Sequence, residues 1–180
     1  MRASVTLLYS GSITPNVRSA WKGIELIIAD IIERFNLPME SCLEFGVEFG
    51  FSTVAFSNYF ENVKGVDIFT GDIHTVHKGN HFELTKRDLE PYSNIQLFRA
   101  DYKDWIKQDK AQYGLIHVDI VHTYKDTYDC GFWSAQHSKC VIFHDTESFI
   151  EIRRAVIDIA KAMGKNVYNY PYCHGLGIIV

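Results

Sequence analysis

The sequence predicts an α/β fold, a mainly parallel sheet with helices packed on both faces. Three observations carry this. Short apolar runs alternate with helical patterns along most of the chain, the arrangement of parallel strands joined by helical crossovers. The first such run, Cys42-Leu43-Glu44-Phe45, passes through Gly46-Val47-Glu48-Phe49-Gly50 into a helical pattern beginning near Ser52. That reads as strand, tight turn and helix, with glycines where the backbone bends sharply or a ligand comes close. Finally, Glu44, Asp67, Asp101, Asp119 and Asp145 each fall at the carboxyl end of an expected strand. Ligands of open α/β sheets bind along that edge. One acid there is readily a helix cap, but caps alone do not explain its recurrence in all five strands.

The elements follow in order. Residues 1–16 show no long period, with a short extended piece at Val5–Tyr9 and a turn with helix start at Thr14-Pro15-Asn16. Trp21, Ile24, Ile27, Ile28, Ile31 and Ile32 recur at helical spacing, which predicts an amphipathic helix over about 17–36 ahead of the sheet, closed by Asn36-Leu37-Pro38. Strands are expected at about 41–45 and 63–66, with a helix over about 52–60 between them. Residues 69–82 hold two glycines and His74, His77 and His81 without a period. They are expected to form a mobile segment near the mouth of a ligand site, and loop histidines without cysteine or acid support are more often solvated than metal-bound. A helix over about 80–90 stops at Pro91. Further strands are expected at 94–98, 113–118 and 139–143, with helices at 104–108, 124–137 and 148–163. Residues 166–170 and 175–180 read as strands joined by Pro171-Tyr172-Cys173-His174. That joint is too short for a crossover helix, so the final pair is expected to be antiparallel.

Composition narrows the classes. A chain of 180 residues suits one domain, taken here as 1–180. At 47% hydrophobic and 14% aromatic it can bury a sizeable core. A net charge of -4 without a lysine or arginine cluster argues against a nucleic-acid or anionic-membrane surface. No run is long enough to span a membrane, and the N-terminus lacks a signal-peptide core. Cys42, Cys130, Cys140 and Cys173 show no C-x-x-C spacing and read as reduced thiols of a cytoplasmic protein. The apolar N-terminal helix is a candidate interface for a homo-oligomer.

The turn narrows the ligand. A glycine turn after one strand and Asp67 after the next is the layout of a nucleoside-binding Rossmann half. A pyrophosphate binder wants G-x-G-x-x-G and little negative charge nearby. Here the spacing is Gly46-x-x-x-Gly50, with Glu44 before the turn and Glu48 inside it. Two carboxylates would repel a diphosphate but suit a ligand carrying an amine and a sulfonium, a description that fits S-adenosylmethionine. The competing reading is a strand–helix junction whose glycines only permit close packing.

From about Ser41 to Val180 the sequence resembles class I S-adenosylmethionine-dependent methyltransferases. The resemblance is carried by Glu44-Phe45-Gly46-Val47-Glu48-Phe49-Gly50-Phe51-Ser52, Gly65-Val66-Asp67, Asp119-Ile120-Val121-His122-Thr123-Tyr124 and Phe143-His144-Asp145-Thr146. The last two are similar to the small-molecule O-methyltransferase branch with macrocin-type and cephalosporin-hydroxylase-like proteins, which read D-G-D-H-S-Y and an acid or histidine followed by D-T. The resemblance implies a Rossmann-like three-layer sandwich with seven strands in the order 3-2-1-4-5-7-6, only strand seven antiparallel. It implies that Gly46 and Gly50 face the methionine part of the cofactor, with Ser52 at the helix start. Glu44 would order that end directly or through water. Asp67 would accept from both ribose hydroxyls, and Asp101 with Tyr102 would sit at the adenine. Asp119 would meet both cofactor and substrate. Asp119, His144 and Asp145 would form a site for a divalent ion such as Mg or Mn. At that ion site position 144 is a histidine rather than an acid, and position 121, often a second acid and a proposed base in relatives, is Val121.

Methyl transfer to a hydroxyl needs aligned reactants and a base near neutral pKa, for which histidine is suited. His122, His144 and Asp119 are the catalytic candidates for a small-molecule acceptor. Packing or capping roles for either histidine remain open. So do two other functions, a cofactor-binding protein without catalysis and a nicotinamide-dependent oxidoreductase; Glu48 and the antiparallel sheet end count against the latter.

Overall fold

The computed structural model describes residues 19–75 and 77–180. The extended piece expected at Val5–Tyr9 and the turn at Thr14–Asn16 lie outside the described residues. Among the described residues, seven strands form one sheet: β1 (Cys42–Phe45), β2 (Val63–Asp67), β3 (Ile95–Arg99), β4 (Tyr113–Val118), β5 (Ser138–His144), β6 (Val167–Tyr170) and β7 (Leu176–Ile179). Their order is β3-β2-β1-β4-β5-β7-β6, as expected. β1 to β5 pair in parallel. β7 runs antiparallel to both β5 and β6, because the five residues after β6 reverse the chain without a crossover.

Strand alternation divides the core into two layers. Leu43, Phe45, Ile116, Val118, Val141 and Phe143 face α4 (Tyr102–Gln108), α5 (Tyr124–His137) and α6 (Ile150–Met163). Cys42, Leu115, Cys140 and Ile142, one residue out of phase, face α1 (Ile28–Phe35) and α2 (Phe51–Ser57). α3 (Phe82–Leu89) lies beside α2, its Leu89 side chain against Gly50.

The N-terminal helix is shorter than its apolar period suggests. Gly23 sits at φ 107 and breaks it; a 3-10 turn follows at Ile24–Ile27, and regular helix starts only at Ile28. It ends at Asn36 in the left-handed region, whose N–H reaches the Glu33 and Ile32 carbonyls. Ile28, Ile31 and Ile32 of this helix pack into this chain's own core. Among the described residues, no helix is long and apolar enough to cross a membrane.

Candidate active site

A cavity of about 700 Å³ opens over the carboxyl edge of β1, β2, β4 and β5. Its wall includes Gly46, Glu48, Ser52, Asp67, Asp101, Tyr102, Asp119, His122, His144 and Asp145. The structure thus brings nine of the residues expected from sequence to one surface, together with Glu48. Glu44 and Gly50 are the exceptions, and each has a physical reason.

Glu44 is fully buried rather than facing the ligand. It lies on the same side of the sheet as His117, its register partner on β4. Its carboxylate accepts from the Ser52 and Thr53 hydroxyls at the start of α2. His117 Nδ1 lies 2.9 Å from Glu44 Oε1, and the Trp21 indole N–H donates to His117 Nε2 at 3.1 Å. Since Nε2 accepts, the His117 proton is on Nδ1 and donates to Glu44. Buried carboxylate oxygens need such donors to satisfy them. Glu44 therefore reaches the cavity through Ser52, while Trp21 brings the N-terminal segment to the same wall. The sequence shows His117 only as a polar residue in an apolar strand, and its register with Glu44 is the signal that could have found it.

The two glycines differ. A Cβ on Gly46 would meet the Asp119 carbonyl oxygen at 1.7 Å, and its φ is 88°. Only glycine lets β4's end approach the turn this closely. Gly50, at φ 84°, would place its Cβ against Leu89. It permits α3 to pack there and does not face the cavity.

Asp67 shapes the turn as well as the wall. Its Oδ2 accepts from the Val47 and Glu48 N–H groups at 2.8 and 2.9 Å, and its Oδ1 from Phe69 N–H at 2.6 Å. A carboxylate offers about four acceptor positions, so room remains for one more donor rather than the two hydroxyls expected. Asp101 caps α4 by accepting from Lys103 N–H at 2.8 Å. The Tyr102 hydroxyl donates to Asp126 at 2.7 Å. Burial first, then that carboxylate, raises the Tyr102 phenol and keeps it neutral.

At the other end, four titratable groups converge. His144 Nδ1 is 3.2 Å from Asp119 Oδ2 and 3.7 Å from Asp145 Oδ1. His122 Nε2 is 3.2 Å from Asp145 Oδ2 and 3.6 Å from Asp119 Oδ1. Burial alone would raise Asp119, but the neighbouring His144 charge, with His122, holds it well below the usual carboxylate range. Asp145 moves the other way: burial and the Asp119 charge raise it against the two imidazoles. Burial lowers both histidines, yet the carboxylates outweigh it and raise them. Two carboxylates in one site with pKa values pushed apart are a mark of acid–base chemistry.

The backbone here is unusual. Asp145 sits at φ 64°, and Glu48 and Phe69 are also left-handed. Non-glycine residues in that region concentrate at functional sites. Cys173 and His174, left-handed in the turn before β7, bring the Cys173 carbonyl to 3.2 Å from His144 Nε2. A carbonyl can only accept, so Nε2 carries a proton and Nδ1 faces the carboxylates. Histidines that hold metals are oriented in this way. Asp119, His144 and Asp145 each present a ligand atom within 4.8 Å of the others, so the three residues fit a divalent cation.

No curated protein matches the sequence. NovP, an O-methyltransferase, has a TM-score of 0.69 at 15% identity, covering 88% of this chain and 77% of its own. CalS10 from Micromonospora echinaspora, an amino pentose methyltransferase solved with SAM bound, gives 0.65 at 11% identity, covering 90% and 91%. An O-methyltransferase from Bacillus cereus in complex with SAH gives 0.61 at 11% identity, covering 92% and 83%. At these identities the likeness establishes the fold. Residues 43–146, more than half of the chain, match a family described as a methyltransferase domain. The chain belongs to this methyltransferase family.

Proposed function

We propose that the chain is an S-adenosylmethionine-dependent methyltransferase acting on a hydroxyl of a small molecule. One observation carries the reading: a single cavity has Asp67, Asp101 and Tyr102 at one end and Asp119, His122, His144 and Asp145 at the other. The first set suits a nucleoside, and the second can hold and deprotonate a hydroxyl. Glu48 in the turn wall disfavours a diphosphate, which separates this site from a dinucleotide site. CalS10 with SAM and the Bacillus cereus enzyme with SAH support the choice of cofactor. The four cysteines are free, and three are buried, which supports a reducing, cytoplasmic compartment.

S-adenosylmethionine supplies an electrophilic methyl carbon on its sulfonium. The chain's residues align the acceptor oxygen with it and remove the hydroxyl proton. Asp119, with its carboxylate between the two imidazoles, orients the acceptor. His122 Nε2 takes the proton, because it faces the same space as the Asp119 and Asp145 oxygens. His144, nearly buried and tied to Cys173, orients Asp119. Asp119, His144 and Asp145 would hold a divalent cation, which would neutralise the carboxylates and acidify a bound hydroxyl. An imidazole beside two carboxylates favours Mn, Fe or Zn more than an all-oxygen set does.

The test is methyl transfer from isotopically labelled S-adenosylmethionine to a panel of phenols, catechols and sugar hydroxyls. It is run in excess chelator and with each cation restored. Product methylated on oxygen supports the reading. Saturable cofactor binding with no product across the panel would favour a binding protein without catalysis.

A further inference from the structure

The segment between β2 and α3 crosses the acceptor end of the cavity, where Asp72, Ile73 and Thr75 share the wall with His122. Two backbone bonds of 3.0 Å close its base, Gly79 N–H to Thr70 O and His81 N–H to Phe69 O. Asp72 Oδ1 accepts from the N–H groups of His74 and Thr75 at 2.7 and 3.0 Å, which fixes the turn that presents His74. The His74 ring stacks on that of His122, centroids 4.9 Å apart and planes at 21°. His74 Nδ1 also accepts the His122 backbone N–H at 3.3 Å. Phe149 completes the cluster, 4.2 Å from the His122 ring and 5.4 Å from that of His74.

This packing matters because of what His122 lacks. A histidine that moves protons is ordinarily oriented by a hydrogen bond at its second ring nitrogen. His122 Nε2 faces Asp119 and Asp145, but its Nδ1 is buried with no hydrogen-bond partner among the described residues. On the Nδ1 side the ring is therefore held by the two aromatic rings packed against it and by the bond that His74 makes to its backbone, not by a hydrogen bond of its own.

We infer that His74 is a positioning residue for His122, holding its ring by stacking and its backbone by the Nδ1 acceptor. The inference rests on the proton-accepting role proposed for His122.

Three variants of the full chain test it. His74→Asn places a carbonyl oxygen where Nδ1 stands, keeping the acceptor and losing the ring. His74→Phe keeps the ring and loses the acceptor. His74→Ala loses both. Amide hydrogen exchange at His122 should quicken by about tenfold or more in the Ala and Phe variants and stay near wild type in Asn. Amides of β1 and β4 and the affinity for S-adenosylmethionine should hold in all three. With an acceptor from the panel, kcat should fall most in Ala while the KM for S-adenosylmethionine is unchanged. Unchanged exchange at His122 in His74→Ala, or no difference between Asn and Phe, overturns the positioning role. So does a parallel loss of cofactor affinity, which would place His74 at the cofactor instead. If the exchange pattern holds but no acceptor is methylated, the positioning of His122 stands and the assigned reaction fails.

Discussion

Replacing Asp67 by asparagine separates two contributions of one carboxylate. In the folded chain its two oxygens accept three backbone N–H groups, from Val47, Glu48 and Phe69. An amide has a single acceptor oxygen. Turned toward Val47 and Glu48, it sets its NH2 against the Phe69 N–H; turned round, it sets it against the other two. At least one bond to a charged acceptor is lost and the rest weaken. A bond to a charged group is worth about 1.5–3 kcal/mol, and water at this half-buried site recovers part, so the expected cost is about 2 kcal/mol. For a chain of this size that lowers Tm by about 4–8 °C. The same change distorts the Gly46 turn and removes the carboxylate proposed to accept from the ribose. S-adenosylmethionine binding should weaken by about 1–3 kcal/mol, or roughly fivefold to 150-fold. Differential scanning calorimetry and isothermal titration read the two effects. An Asp67→Asn protein with wild-type Tm and affinity would refute both the turn-holding role and the ribose assignment.

Two further outcomes follow from the cluster and its supports. Asp145→Ala should abolish turnover in an assay with added Mn while leaving S-adenosylmethionine affinity intact, because that carboxylate belongs to the end of the cavity proposed for the acceptor; calorimetry and product formation check the two arms. Asp126, which accepts from Tyr102, Lys103 and Thr123, links α4 to the start of α5. Burial would raise its carboxyl, but those three partners hold it at about 2 instead of 3.8. A depressed carboxyl adds stability that is complete above the unfolded pKa, near 4, and is lost as pH falls toward 2, here about 2 kcal/mol. Asp126→Asn should therefore cost that amount at neutral pH and flatten the acid limb of stability in urea melts between about pH 4 and 2. A parallel acid limb in the two proteins would contradict it.

Much of this architecture was legible because period and position carry it. Alternation of apolar runs located the strands, and the short joint before β7 announced its reversed direction. The acids at strand ends marked the edge on which Asp67, Asp119 and Asp145 now meet one cavity. What stayed hidden depends on side chains far apart in sequence. Glu44 reads as a ligand contact from its place in the turn, yet β4's register sets His117 beside it and seals it from the cavity. Within the helix expected over 17–36, regular helix begins only at Ile28 because Gly23 adopts a left-handed conformation that no periodicity encodes. His74 lay in a segment without a period, and only the fold of that segment brings it onto His122. The Cys173 carbonyl that orients His144 is invisible in sequence because a backbone oxygen has no residue signature.

The central claim is that this cavity takes S-adenosylmethionine, and titrating the wild-type chain with it, beside a parallel titration with a nicotinamide dinucleotide, tests that most directly. The account predicts saturable, one-to-one heat from S-adenosylmethionine, reduced in Asp67→Asn, and none from the dinucleotide. Binding of the dinucleotide with no heat from S-adenosylmethionine would contradict it.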